Sequence, residues 1–214
     1  MHYEEFRKKT RGMPIIRSNL FSSLTNNVQQ LRVQVNQWVK KGYVQKLKRG
    51  VYKLRDIDSE KKSSNYFLSN LIYAPSYVGL ETAMQYYHFI PEAVRSYTSV
   101  TTKKTNYFSN DLGDFYYHNV KKEIFIDFQE KLDSYGNKFL ISSPEKTLLD
   151  FIYLKASHHK VITKGLLDEG YRLQNLENLD LEKLKVLSKV YNSKKMTEAA
   201  NALIELVLEE WRDD

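Results

Sequence analysis

The sequence predicts an α+β chain, and three observations predict it. Apolar residues recur at helical spacing from Val28 to Val39 and again near the C-terminus. Between Tyr97 and Ser142 short runs alternate at strand spacing. Charge divides the chain into a head and a body. Residues 1–55 hold 13 of the 33 lysines and arginines but 2 of the 26 acids, a net +11 against −4 for the remainder. Such segregation points to a polyanion at the N-terminal end.

Taken in order, Tyr3 to Lys9 is spaced as a short helix. The run MPIIR (13–17) is extended, because Pro14 keeps the residue before it out of the helical region. Ser18 is placed to cap a short helix reaching Leu24. Asn27 opens the next helix, with Gln30 three positions on in a capping-box arrangement. With Val28 at zero on a helical wheel, Leu31, Val35, Trp38 and Val39 fall within about 100° of arc and form the core face. Lys40 and Lys41 suit the negative end of the helix dipole, and Gly42 is the expected left-handed stop. Tyr43–Leu47 and Val51–Leu54 alternate weakly on either side of Lys48-Arg49-Gly50, where the glycine permits a positive φ. Three helices and a hairpin in this order make residues 1–56 a winged helix-turn-helix. The polar stretch DIDSEKKSS (56–64) marks the boundary, so residues 57–64 read as a linker and 65–214 as a body.

In the body, Asn65–Tyr73 reads as a helix ended by Pro75, and Leu80–Tyr87 as another leading into HFIPE. Strands are expected at Tyr97–Thr102, Tyr107–Ser109, Leu112–His118, Glu123–Phe128 and Lys138–Ser142, with NDLG (110–113) as a turn. Ser143 caps a helix with Pro144 at its first position, running to Leu154. Leu181, Leu184, Leu187 and Val190 form one stripe, and Met196, Ala200, Leu203, Val207 and Trp211 another. Two amphipathic helices packed on the body account for both. The class is therefore α+β, with strands over about 97–142 and helices over about 143–211.

A winged helix lays its recognition helix in the major groove and its wing on the adjacent backbone. Opposite the core face stand Gln29, Gln30, Val33 and Gln37, flanked by Asn36 and Lys40. Glutamine amides pair with adenine, and valine packs on a thymine methyl. Arg32 lies nearer the edge of the core face and suits a phosphate, as do Lys46, Lys48 and Arg49 on the wing and, further out, Lys8, Lys9 and Arg17. Double-stranded DNA is the expected partner.

Other classes find less support. Without cysteine there is no disulfide or thiol chemistry, which fits a reducing cytoplasm. No apolar run reaches the 18 or so residues of a membrane span, so no membrane partner is expected. The charged N-terminus is no secretory signal. A phosphate loop of the G-x-x-x-x-G-K type is missing, and no cofactor is expected. Adjacent His158 and His159 lack further spaced ligands, which leaves the metal set empty. Glu145 and Asp150 stand five apart and do not stack as a dyad; they read as helix N-terminal charge and a polar contact. His88, beside a proline-containing loop, reads as a structural hydrogen-bonder before a catalytic base, so the catalytic set is empty too. The tyrosine-rich strands read as sheet core and hairpin surface before platforms for single-stranded bases. Thr101-Thr102-Lys103-Lys104 is basic within an acidic body and carries two readings: an edge strand protected by lysines, or a contact surface for a protein or nucleic acid.

The strings YVGLETAMQYYHFIPEA (77–93), TSVTTKKT (98–105) and SPEKTLLDFIYL (143–154), in that order behind a head ending RGVYKL (49–54), resemble the AbiEi-type antitoxins over nearly the whole chain. The resemblance implies the antitoxin of a type IV toxin–antitoxin pair, whose toxin is a nucleotidyltransferase-like protein encoded next door. It implies a winged head that represses the shared promoter at inverted repeats, and a body needed to relieve toxicity, with or without direct contact. His88, Thr101, Thr102, Lys103 and Lys104 are then the candidates for the antitoxin surface. The chain departs from the family in one place: His88-Phe89 stands where His-Gly is usual, so a turn there needs another geometry. Two readings remain beside this one: a winged-helix regulator whose body senses a ligand or another protein, and an enzyme with a DNA-targeting head.

Overall fold

A computed structural model describes residues 1–213. Helix α1 (Tyr3–Thr10) leads to a two-residue strand β1 (Ile16–Arg17) and, through a 3-10 turn at Ser18–Leu20, to α2 (Phe21–Leu24). Helix α3 (Val28–Lys40) follows, then a hairpin of β2 (Val44–Lys48) and β3 (Val51–Leu54). Strand β3 pairs with both β1 and β2, so a small antiparallel sheet closes the head. The expected core face of α3 is inside: Leu31, Val35 and Trp38 are buried against Phe6, Ile16, Phe21 and Leu54, with Val39 at the margin. Asn27 caps α3 by accepting from the Gln30 amide at 3.0 Å. The reciprocal half of the box is made differently, because the Asn27 amide donates to Thr25 Oγ1 at 3.2 Å. Ser18 does not cap. It is the first residue of the 3-10 turn, and its amide donates to the Gly50 carbonyl at 2.9 Å. Gly42 and Gly50 both take positive φ, +74° and +75°, the first ending the helix and the second turning the hairpin.

The body is built on α4 (Asn65–Ile72), β4 (Ser76–Val78), α5 (Leu80–Tyr86), β5 (Tyr97–Thr101), β6 (Asn106–Asn110), β7 (Gly113–Asn119), β8 (Phe128–Leu132), β9 (Lys138–Ser142), α6 (Pro144–Leu154), α7 (Leu181–Val190) and α8 (Lys194–Asp213). Its six-stranded sheet runs β6-β7-β5-β4-β9-β8, with β5·β7 and β4·β9 parallel and the other pairs antiparallel. The chain is thus a mixed α and β protein with two sheets, in keeping with the expected class. Alternation sorts the faces: Phe115 and Tyr117 point to α4, whereas Tyr77 reaches Asp150 on α6. Leu184, Leu187, Met196, Ala200, Leu203 and Val207 bury the C-terminal helices against α6, while Leu181 and Val190 are half-buried. The Trp211 side chain lies outside the described residues.

Two departures have clear causes. The segment Glu123–Phe128 is not a strand. A 3-10 turn at Lys122–Ile124 buries Ile124, and Asp127 takes φ +54° while its carbonyl accepts from the Ser143 amide at 3.0 Å, so pairing starts only at Phe128. Phe125 and Phe128 instead pack on Tyr77, with centroids 5.0 and 5.1 Å away. Strand β4, three residues long and buried throughout, was not expected, because its period-two signal is too short to see.

The segment read as a linker is held at both ends. Tyr3 Oη donates to Asp58 at 3.0 Å and Arg11 pairs with Glu60 at 3.2 Å, while Asp133 of the body accepts from the Ser64 amide at 2.9 Å. Head and body also share a core in which Leu47 and Val51 of the hairpin meet Leu68, Ile72, Phe115 and Tyr117. No helix among the described residues is long and apolar enough to cross a membrane.

Candidate nucleic-acid interface

Helix α3 shows a polar face to solvent because its buried stripe is narrow. Gln29, Gln30, Arg32, Val33, Asn36, Gln37 and Lys40 are all exposed, and Val33 is an apolar side chain 57% exposed among amides. Beside this face the hairpin opens a groove of about 510 Å³ lined by Ser18, Arg32, Asn36, Lys46, Arg49, Gly50 and Tyr52. Three cations line it and no carboxylate does.

The head sorts its cations by partner. Arg7 pairs with Glu4 at 2.8 Å, Lys9 with Glu5 at 3.0 Å and Arg11 with Glu60, while buried Lys53 meets Asp56. Among the described residues, Arg32, Lys40, Lys46 and Arg49 meet no carboxylate within 4.0 Å. Lys8, Lys41 and Arg55 meet none either, but of these cations it is Arg32, Lys46 and Arg49 that line the groove. Lys9 is spoken for by Glu5 and by the Leu24 carbonyl, to which it donates at 3.2 Å.

Lys48 and Arg17 are placed elsewhere than expected. Lys48 turns to the body, 5.2 Å from the Tyr73 ring centroid and 5.0 Å from that of Phe108. Arg17 donates to the Leu71 carbonyl at 2.8 Å. Desolvation, then repulsion by Arg17 and Lys103, pulls the Lys48 ammonium below its ordinary pKa. A bulge between Lys46 and Lys48 sends the two side chains to different neighbours, which alternation along the strand does not reveal.

The candidate antitoxin surface is not one site. His88 is exposed with φ +60°, and its carbonyl accepts from Asn175 Nδ2 at 2.7 Å. It borders a cleft of about 520 Å³ with Tyr87, Phe89, Pro144 and Leu179. The left-handed residue of this turn is His88 itself, which leaves Phe89 free to enter the core. Thr101 is buried and donates to the Pro75 carbonyl at 2.6 Å; Thr102 is half-buried, and Lys103 and Lys104 are exposed. The edge-strand reading fails here, since β5 lies between β7 and β4 and the lysines stand in the loop after it.

The body holds two features that the sequence reading missed. In the first, Lys146 and Asp150, one helical turn apart on α6, are completely buried as an ion pair. Tyr77 and Tyr191 donate to Asp150 at 2.7 and 2.8 Å, and Lys146 lies 3.2 and 3.0 Å from their hydroxyls. Burial, then the adjacent Asp150 charge, raises both phenols well above their ordinary pKa. Burial lowers the Lys146 ammonium, with Asp150 opposing it. The i, i+4 spacing of Lys146 and Asp150 was legible, but such pairs are common on exposed helix faces and nothing local marks this one as internal. The second feature is a cleft of about 540 Å³ whose walls include Glu81, Met84, Tyr116, Phe151, Lys155 and Tyr171. Glu81 and Lys155 pair there at 3.2 Å. The His158 and His159 rings lie 4.0 Å apart, tilted by 41°, and among the described residues no group of three or more His, Cys, Asp or Glu side chains is placed to hold a metal ion.

Compared with known proteins, the chain matches no family model, and no curated protein matches its sequence.

Proposed function

We propose that this chain is a DNA-binding antitoxin that represses its own operon, without chemistry of its own and acting in the cytoplasm. On this reading residues 1–56 are a winged helix-turn-helix that binds duplex DNA at inverted repeats. The body opposes a nucleotidyltransferase-like toxin encoded beside it. The observation that carries the DNA half is the groove between α3 and the hairpin, in which Arg32, Lys46 and Arg49 stand without a counterion next to an exposed row of amides. Phosphates would supply the missing charge, and Gln29, Gln30, Asn36 and Gln37 the base-edge contacts. The antitoxin half rests on the resemblance of residues 77–93, 98–105 and 143–154 to the AbiEi type.

Two substitutions separate reading from gripping. Gln30→Ala leaves the capped amide of α3 in place and should cost about 1–3 kcal/mol of discrimination at one base pair. Arg49→Ala should weaken all duplexes about equally. Competition binding with operator and scrambled DNA distinguishes the two. Co-expression with the neighbouring toxin tests the other half: growth should be rescued, and failure to rescue removes the antitoxin assignment.

The 540 Å³ body cleft favours one second reading, a winged-helix regulator that senses a ligand. Tyr171→Ala should then abolish effector response while DNA affinity stays unchanged, whereas an antitoxin would show no effector response at all.

A further inference from the structure

The 540 Å³ cleft of the body has in its wall a buried acceptor whose hydrogen bond is not made. Glu81, at the start of α5, gives one carboxylate oxygen to Lys155 at 3.2 Å. Its other oxygen, Oε2, is buried, and among the described residues no hydrogen-bond donor reaches it. His118 shows the same deficiency, because its Nε2 is buried without a partner among those residues. It stands two residues beyond Tyr116 of the cleft wall, so both side chains share one face of β7. Burial, then repulsion by Lys155, holds the His118 pKa down against the pull of Glu81, which keeps the ring uncharged near neutral pH. A buried polar atom left unpaired costs free energy, and a donor carried by a ligand removes that cost.

The other walls define what kind of molecule brings the donor. Met84 and Ile90 make them apolar, and three rings make them flat. Phe151 and Tyr171 meet edge to face with centroids 5.1 Å apart, and Tyr116 is stacked on Tyr107. At the rim Glu92 and Arg172 are exposed and paired at 3.0 Å. The acceptor is held in place by its neighbour: the Thr82 amide donates to Thr98 Oγ1 at 3.1 Å, and the Thr98 amide to Thr82 Oγ1 at 2.8 Å. Lys155 already balances the Glu81 charge, so the free oxygen suits a neutral N–H donor better than an ammonium ion. Resting on the reading of this cleft as a ligand site, we propose that it binds a neutral heteroaromatic amine of nucleoside size. The amino group donates to Glu81 Oε2, and the ring lies against Tyr116, Phe151 and Tyr171. An amino group beside a ring nitrogen offers both a donor and an acceptor, which answers His118 Nε2 in either tautomer. The volume lies within the range of small-molecule sites.

Isothermal titration calorimetry of the full chain with five nucleosides tests this. Adenosine, guanosine and cytidine carry the amino group, whereas inosine and uridine carry a carbonyl or a hydrogen in its place. At least one amino nucleoside should bind about tenfold or more tighter than its counterpart without the amine. Glu81→Gln should remove that preference. Tyr171→Leu should weaken every nucleoside alike, because it deletes a ring face and no acceptor. The comparison among nucleosides needs no variant, so it decides the matter even where a substitution unfolds the chain. A counterpart that binds as tightly as its amino partner overturns the amine and keeps the cleft as a ligand site. No binding of any of the five at millimolar concentration overturns the proposal, while an unchanged salt dependence of DNA binding leaves the head untouched. Repeating the titrations with operator duplex present separates the functional readings. A bound nucleoside that leaves DNA affinity unchanged is compatible with the antitoxin, and one that alters it favours the ligand-sensing regulator.

Discussion

At the scale of single residues, what matters is whether a charge has a partner. Exposed Arg32, Lys46 and Arg49 lack one and are free to take phosphate, whereas buried Lys146 depends on Asp150. Asp150→Ala strands an ammonium in the core and should cost about 3–5 kcal/mol in urea unfolding. Replacing the whole cluster, as Lys146→Met and Asp150→Leu with Tyr77→Phe and Tyr191→Phe, should cost far less, because the desolvation of both charges disappears and neither hydroxyl is left without its acceptor. The same cluster sets the alkaline limit. Tyr77 and Tyr191 have folded pKa values above the 10.0 of an exposed phenol, so their contribution is complete below pH 10 and is lost as pH rises above it. Tyr117, raised by burial, adds to this. Lys146 acts with the opposite sign, because its lowered pKa makes folding easier as pH approaches the unfolded value of 10.5. Three phenols outweigh one ammonium. Stability should fall above pH 10, with the phenolate absorbance of these tyrosines appearing only as the chain unfolds; their titration in the native state would contradict the assignment.

Single elements show which signals were local. Helix α3 was legible because one stripe, one cap and one glycine stop lie within sixteen residues, Asn27 to Gly42. The hairpin was legible from Gly50, which holds φ +75° and leaves Ser18 Oγ only 2.8 Å from where a Cβ would stand. Gly50→Ala should therefore destabilise the chain by about 1–2 kcal/mol, and on the proposed DNA-binding function it should weaken duplex binding through the hairpin without touching Gln30. What failed was long-range. The alternation over 123–128 suggests a strand, but Asp127 turns the chain toward Ser143, sixteen residues further on. Lys48 was assigned to the wing with Lys46, and only its neighbours Tyr73 and Phe108, far along the chain, turn it to the body. The linker looked like a tether for the same reason: its composition is polar, while its anchor Asp133 is distant. The Asp133 carboxyl is held down to about 2, partial desolvation being outweighed by hydrogen bonds from Asn137 and Ser64. That hold is present above the ordinary carboxylate range and is released as pH falls toward 2.

Across the whole molecule, head and body share a core, so the hairpin is held in a fixed relation to the sheet. Leu68→Ala opens a cavity between Leu47, Val51 and Phe115 and should cost about 2–5 kcal/mol. Calorimetry should show one transition shifted as a unit; two separated transitions would mean that the shared core does not couple them. Charge at this scale was the most legible property of all, since the +11 of the first 55 residues is read straight from composition. Which of those cations stay unpaired was not, because Asp56, Asp58 and Glu60 lie beyond those 55 residues and reach back to them. The central claim is that the unpaired ones make a surface for duplex DNA. Its most direct test is the affinity of the intact chain for double-stranded DNA as salt is raised. Four to six phosphate contacts predict a log–log slope of about −4 to −5; a slope near zero, or no binding at low salt, would contradict it.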